Sequence, residues 1–521
     1  MKTIVVCSAG EWQVCGEKVL AAAEAEGVEL SGIFFHKGSV PGEPKLPLIS
    51  RERFAECGGI VFLSIYDLSA AAMVYRTGIR QVKVFHTDGY FVERSGDAQD
   101  QESVYINSRN FRSLKELNRI RMLLSYFHRE PVLNSYPLEI QIESTSFCNA
   151  QCIMCGHFVY KNAIAKHIPA KLTHDLEKYL MYAENVILHG NGEPFLQPDI
   201  KEMIRFYGSY GIKLLTNTNL SVLDMELISL IKEHFREMTV SIDGCTKEVY
   251  ENIRLNLSFD KLLENLRLIN RYAPEIPKTI AVVASRQNIM QLPDFVSFAS
   301  ENGFSRIDVI EMGSSPVAGN EFDELKNFPA AASRQLKKTA ALAKQKGIGI
   351  ELPFHLLLPG EEDEQQIRRE IGEMQSSPMF PGKERSRELF ESLVRPRLEE
   401  LCSEGRENVC FSDHTSSPLK MEEVSAVTDS RCCGVCDSLL KRPFVMLEGK
   451  FSTCCLRPKH YLGVITDEDS LGQLWNSPQI IELRKHFYNG SVPEYCKGCS
   501  FMNNHFLDLL SVSEEDDHEK V

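Results

Sequence analysis

LEIQIESTSFCNAQCIMCGHF, Leu138–Phe158, runs from a strand into a cysteine loop. "LEIQIES" alternates apolar and polar side chains, the period of a β-strand. The loop that follows spaces Cys148, Cys152 and Cys155 as C-x3-C-x2-C. Thiolates are soft ligands that suit iron–sulfur clusters and zinc. A structural zinc site takes four protein ligands, and this loop supplies three cysteines, with His157 as a possible fourth. The other reading is a 4Fe–4S cluster with one iron left open, and an open metal position is what separates a catalytic centre from a structural one.

Downstream of the loop the alternation of strand and helix continues. "NVILHG", "IKLLTN", "MTVSID", "TIAVVAS" and "RIDVIEM" read as strands, with amphipathic stretches such as "FDKLLENLRLINRYA" between them. Six strand–helix units predict a partial (β/α)6 barrel, in which chemistry sits at the C-terminal ends of the strands. The cysteine loop leaves the first strand at that end.

C-x3-C-x2-C after the first strand of a β/α barrel resembles the radical S-adenosylmethionine (SAM) superfamily. The resemblance implies a 4Fe–4S cluster held by Cys148, Cys152 and Cys155, SAM chelated to its open iron, and a 5′-deoxyadenosyl radical that abstracts hydrogen from substrate. "HGNGEP" (His189–Pro194) is similar to the family's G-x-G-E-P segment, which assigns Gly190, Gly192, Glu193 and Pro194 to SAM. "LLTNTN" places Asn217 where the family has T-N-G, with Thr218 in place of the glycine. Ser241 and Asp243 in "SIDG" and Arg254 in "YENIR" fall where the family contacts the SAM ribose and carboxylate. Met154 stands where many members carry an aromatic residue near the adenine.

Seven of the sixteen cysteines lie between Cys432 and Cys499. Cys436, Gly449 and Cys454 (G-x4-C), then "LGQLWNS", then Cys496-x2-Cys499 resemble the SPASM/twitch extension of radical SAM enzymes. No cysteine follows Cys499, so the resemblance implies the shorter twitch form, with one auxiliary 4Fe–4S cluster on Cys436, Cys454, Cys496 and Cys499. Four thiolates could also close a structural zinc site, the lesser alternative here. Cys7, Cys15, Cys57, Cys245, Cys402 and Cys410 read as small buried hydrophobes.

Residues 1–90 alternate strand and helix as well ("TIVVCS", "LSGIFF", "GIVFLSI", "QVKVFH"), which predicts a Rossmann-like parallel sheet. Its first turn, "CSAGEW", has one glycine where a dinucleotide fingerprint has three, and His36 occupies the place of the ribose-binding acid. The pattern resembles the N-terminal domains of sugar-modifying acyltransferases. The expected organisation is a Rossmann-like domain at 1–95, a helical connector at 96–136, the barrel at 137–315, a helical insertion or linker at 316–431, the cysteine-rich unit at 432–506 and an acidic tail at 507–521. "IGIELP" is one probable strand inside the insertion.

The net charge of −14 over 521 residues, without a long basic run, disfavours a nucleic-acid partner. No apolar run reaches bilayer-spanning length and the first twelve residues lack a signal peptide's apolar stretch, so a cytoplasmic location is expected. The expected function is oxidation of a small molecule, carbohydrate-like or an aminocyclitol, with the auxiliary cluster taking the substrate's electron. An external one-electron donor such as flavodoxin or ferredoxin is implied. The alternatives are radical peptide modification (thioether formation or epimerisation) and redox-neutral sugar epimerisation or dehydration. Glu311, ending the sixth strand, is the candidate substrate-side acid or base.

Overall fold

The computed structural model describes residues 3–39, 44–54, 57–65, 67–79, 81–155, 166–313, 318–403, 417–418, 426–428, 436–454, 460–493 and 496. Two sheets dominate. The first holds β1 (Thr3–Ser8), β2 (Leu30–Lys37), β3 (Gly59–Phe62), β4 (Gln81–His86) and β5 (Tyr90–Val92) in the order β2-β1-β3-β4-β5. The first four are parallel, as a βα alternation requires, and β5 returns antiparallel through a turn at Gly89, whose φ is +102°. Ser8 caps the helix Ala9–Ala25 in a reciprocal box with Glu11: Ser8 N–H donates to Glu11 Oε2 at 2.7 Å and Glu11 N–H to Ser8 Oγ at 3.3 Å.

The second sheet has ten strands. Seven run parallel as β6 (Glu139–Ile142), β7 (Asn185–Leu188), β8 (Lys213–Thr218), β9 (Phe235–Ser241), β10 (Lys278–Ala284), β11 (Arg306–Glu311) and β12 (Gly349–Glu351). This is the expected partial (β/α)6 barrel, with "IGIELP" adding a seventh strand from what the sequence reads as the insertion. On each strand the residues that pack against the helices are apolar and buried: Ile140 and Ile142, Val186 and Leu188, Met238 and Val240, Ile280 and Val282, Ile307 and Val309. The alternate residues (Leu215, Asn217, Thr239, Ser241, Asp308) face the lumen and are partly or fully open to solvent.

The other edge of β6 is taken by the cysteine-rich unit. β13 (Phe444–Val445) pairs parallel with β6, and β14 (Lys450–Ser452) and β15 (Gly463–Val464) follow antiparallel. Three backbone bonds, from Glu139, Gln141 and Glu143 N–H to the carbonyls of Lys441, Pro443 and Val445, zip the two units together at 2.9–3.0 Å. The stretch read as a connector carries the helix Phe111–Phe127, which is buried on all sides from Ser113 onward. Its Leu114, Leu117, Ile120 and Leu124 belong to one core with Ile4 and Phe62 of the first sheet, Ile140 of the barrel and Trp475 of the C-terminal unit. Among the described residues no helix is long and apolar enough to cross a membrane.

Candidate radical SAM site

The cysteine loop is laced to the segment that ends the fourth unit of the barrel. Gln151–Cys152 pairs antiparallel with Arg254–Leu255, and Ile153 N–H donates to Ile253 O at 3.1 Å. A turn from Cys155 N–H to Cys152 O (3.0 Å) fixes the C-x2-C spacing. Ile153 and Met154 pack with Ile253, Leu255, Ala318, Leu389 and Val394. The last three come from the insertion, so its described residues 318–403 wall the outer side of the loop. Asn320 Nδ2 donates to Ile153 O at 3.1 Å, and Gln151 donates to Ser386. Nothing in the sequence pattern pointed to these partners, because the contacts are polar and singly spaced.

Burial pushes the Cys148 and Cys152 thiols up to about 12, and Cys148, Cys152 and Cys155 feel one another's charge. Among the described residues no three His, Cys, Asp or Glu side chains close on a single ion. A four-iron cluster spreads its thiolates wider than one ion does, and three thiols on one short loop are the donor set it takes. The fit extends to charge. Arg254 directs Nη1 at Cys152 Sγ, 3.7 Å away, and its Nε stands 2.7 Å from Asp243 Oδ2. Burial opposes a charged guanidinium, yet Asp243 and Cys152 together hold Arg254 above the ordinary arginine pKa. Asp243 is itself fully buried and accepts Val283 N–H at 2.7 Å. The pair thus presents a fixed cation to the cysteine loop.

The two glycines of "HGNGEP" are needed for close approach. A Cβ on Gly190 would collide with the Glu143 side chain, and one on Gly192 with the Thr145 and Phe147 carbonyls. Glu193 is 3% exposed and its carboxylate is well engaged: it accepts Thr218 Oγ1–H at 2.6 Å, Asn219 N–H at 2.7 Å and Phe195 N–H at 3.3 Å. Burial raises its pKa against those bonds. Glu193 therefore ties the ends of β7 and β8 together, and Thr218, which replaces a family glycine, is its hydrogen-bond donor. Asn217 projects to solvent on the lumen side. Ser241 is half-buried at the end of β9. Pro194 opens a short 3-10 turn.

Glu311 lies at the correct end of β11 but pairs with Ala284 on the helix-packed side of the strand, in phase with Ile307 and Val309. Its carboxylate is 2.7 Å from His355 Nε2. That position makes it an anchor for the segment after β12 rather than a group aimed into the lumen.

In the C-terminal unit, Cys436 and Cys496 pack on the same small cluster of Leu439, Leu483, Phe487 and Val492. Cys454 is half-buried just beyond β14. Cys499 lies outside the described residues, as do His157, Cys410, Cys432, Cys433, Cys455 and the acidic tail. Gly449 has φ +74° and a Cβ there would press on Ile465 O, so the glycine of G-x4-C makes a turn no other residue makes easily. The W-N-S stretch is a clamp. Trp475 Nε1–H donates to Ser135 O at 3.1 Å, and Asn476 exchanges bonds with both backbone groups of Leu133 at 2.9 and 3.0 Å. Arg484, 1% exposed, donates to the carbonyls of Leu439, Trp475 and Pro131 and stacks 4.7 Å from the Trp475 ring. Cys7 is buried, as expected of a small hydrophobe, while Cys15, Cys57 and Cys245 are half-buried; the side chain of Cys402 lies outside the described residues.

Comparison with known proteins places residues 142–299 in the radical SAM superfamily and residues 436–500 in the SPASM iron–sulfur cluster-binding domain. An AdoMet-dependent heme synthase of Methanosarcina barkeri is 25% identical over 254 residues, 43% of this chain and 70% of that protein. A mycofactocin maturase, MftC, of Mycobacterium tuberculosis is 27% identical over 179 residues, 32% of this chain and 43% of that protein. Against that maturase, the chain spans less than half the relative's length. Streptococcus suis SuiB bound to S-adenosylmethionine superposes with a TM-score of 0.45 at 15% identity, over 74% of this chain and 78% of that one.

Proposed function

We propose that this chain, whose residues 142–299 match the radical SAM superfamily and residues 436–500 the SPASM iron–sulfur cluster-binding domain, is a radical SAM enzyme that modifies a peptide, with Cys148, Cys152 and Cys155 holding the SAM-binding 4Fe–4S cluster and Cys436, Cys454, Cys496 and Cys499 an auxiliary one. When bound, these groups supply one-electron cleavage of SAM, hydrogen-atom abstraction and an electron acceptor for a net two-electron oxidation of the substrate. A small donor protein such as flavodoxin or ferredoxin feeds the first electron.

The chain's own residues bind, orient and exclude. Arg254, held by Asp243, offsets the negative charge that three thiolates bring to the loop. Gly190 and Gly192 let the second strand's end lie against the loop, where Asn191 N–H donates to Glu143 Oε1 at 2.9 Å and Glu193 N–H to Phe147 O at 2.8 Å. Glu193 keeps the β7 and β8 ends in register. The insertion's Asn320 and Ser386 hold the loop from outside and keep water from that side.

The observation that favours a peptide over a free sugar is the lining of the mouth. Ile310, on the lumen side at the end of β11, is 50% exposed. A polyol leaves such apolar surface wet, whereas a peptide side chain covers it. The maturase among the relatives fits this reading. The sugar or aminocyclitol expected from the sequence rested on the pattern of the N-terminal domain, and no relative described above supports it.

The test has two parts. The triple variant Cys148→Ala, Cys152→Ala, Cys155→Ala, reconstituted anaerobically, should keep about four irons per chain with a 4Fe–4S spectrum and lose SAM cleavage. Zinc or no metal in that variant would refute the auxiliary cluster. The wild-type protein should then release 5′-deoxyadenosine faster with peptides encoded beside its gene than with sugars or cyclitols. The reverse preference would refute the peptide reading.

A further inference from the structure

The barrel mouth away from the cysteines carries a second concavity. The first residues of β7 and β8, Asn185 and Lys213, and Arg236 near the start of β9, face the buried helix Phe111–Phe127 across a cleft of about 640 Å³. Five cations line it, Arg112, Lys115, Arg119, Lys213 and Arg236, and a single carboxylate, Glu184. In a chain of net charge −14 that is a local reversal of sign.

The fold accounts for one of these cations. Arg119 forks onto Glu184, with Nε 2.6 Å from Oε1. That pair is enough to fasten the helix to the start of β7. Arg112 and Arg236 are exposed and have no carboxylate partner among the described residues. Lys213 gives its ammonium to a backbone carbonyl, Glu233 O, at 3.2 Å. Lys115 is 8% exposed and its ammonium, which carries three donors, meets only Tyr210 O at 2.7 Å among the described residues. Burial pulls that ammonium down to about 8. Like charges gathered in a partly desolvated concavity repel one another, and no element of the fold gains from it. An anion in the cleft would remove that cost and give the buried ammonium an acceptor.

We propose that this cleft binds an oligophosphate anion, at a site remote from the cysteine loop. Its volume lies in the range of small-molecule pockets, roughly 300–1,000 Å³, and exceeds what one phosphate fills. Four cations left over after the Arg119–Glu184 pair match the charge of a tri- or tetraphosphate. Phe111 and Tyr210, with ring centroids 5.7 Å apart and planes tilted by 33°, line the same cleft and offer an aromatic face to a base. The proposal does not rest on the substrate of the radical chemistry.

The test is titration calorimetry of the full-length protein with sodium tripolyphosphate, at low and raised salt. The expected result is one saturable site that weakens as salt rises. Arg112→Gln with Arg236→Gln should weaken it by about tenfold or more, because each loses a charge-assisted hydrogen bond. Both side chains are exposed, so a melting temperature without ligand no lower than wild type's verifies that the variant is folded. Tighter binding of ATP than of tripolyphosphate would assign the ligand as a nucleotide; equal binding would assign the phosphate chain alone. No saturable binding, or a double variant that binds like wild type, overturns the proposal.

Discussion

Arg254 is the residue on which the electrostatics of the cysteine loop turns. It stands between a buried carboxylate and a cluster of thiols, and each neighbour holds it charged. Removing it strands Asp243 at 0% exposure with its Arg254 partner gone. Arg254→Gln should therefore cost about 3–5 kcal/mol of stability, read by chemical denaturation of the metal-free protein. Adding Asp243→Asn should return much of that loss, while SAM cleavage stays low in the double variant. If the single variant is as stable as wild type, the pair is not the buried ion pair described here. The same scale shows what the sequence could and could not say. The glycines of "HGNGEP" were legible because a missing side chain leaves a fixed mark on a motif. The role of Glu193 was not, since its partners Thr218 and Asn219 come from another strand end, and an acid reads the same whether it faces a ligand or a backbone N–H.

At the scale of elements, the strands with clear alternation were all legible, and so was their parallel order, because βα units connect parallel strands. The elements that escaped were short. β13 has two residues and β5 three, too few for a period to show. The helix Phe111–Phe127 was legible as a helix but not as buried, for its Lys115, Glu116, Arg119 and Arg121 look like a solvated face until Tyr210 O, Thr87, Glu184 and Glu102 are brought to them. The W-N-S clamp carries a prediction of its own kind. Asn476→Ala removes both bonds to Leu133 and leaves a buried N–H and C=O unmet, which should cost about 2–4 kcal/mol. The loss should appear as a lower melting temperature with the iron content of the proposed site on the Cys148–Cys155 loop intact. A drop in iron at that loop would mean that the clamp supports the barrel mouth as well.

For the whole molecule, one continuous core joins the first sheet, the barrel and the C-terminal unit, so global stability can report a single buried group. His189, just past β7, is half-buried but has its ring nitrogen Nδ1 enclosed, so it is such a group. Burial, with Arg442 adding to it, lowers its pKa from 6.5 to about 4. The folded protein keeps it neutral; the unfolded chain protonates it below about 6.5. Its contribution to stability is thus intact above that pH and is lost as pH falls toward 4, by up to about 1.4 kcal/mol per pH unit. His189→Gln should flatten the dependence of unfolding free energy on pH between 6.5 and 4 by up to one proton and leave the slope at pH 8 unchanged. Parallel curves would show that the imidazole is hydrated.

The pairing of β6 with β13 also sets an order in time. β6 leads directly into the cysteine loop, yet one of its two edges is completed by residues near Phe444. On a ribosome adding about 5–20 residues per second, the roughly 300 residues between them take about 15–60 s to emerge. Through that interval the strand has a bare edge, a template for mispairing that a chaperone or the ribosome itself must shield. That edge of β6 is thus closed only late in synthesis, and a chain cut short before β13 would keep it bare, an aggregation hazard instead of a smaller enzyme.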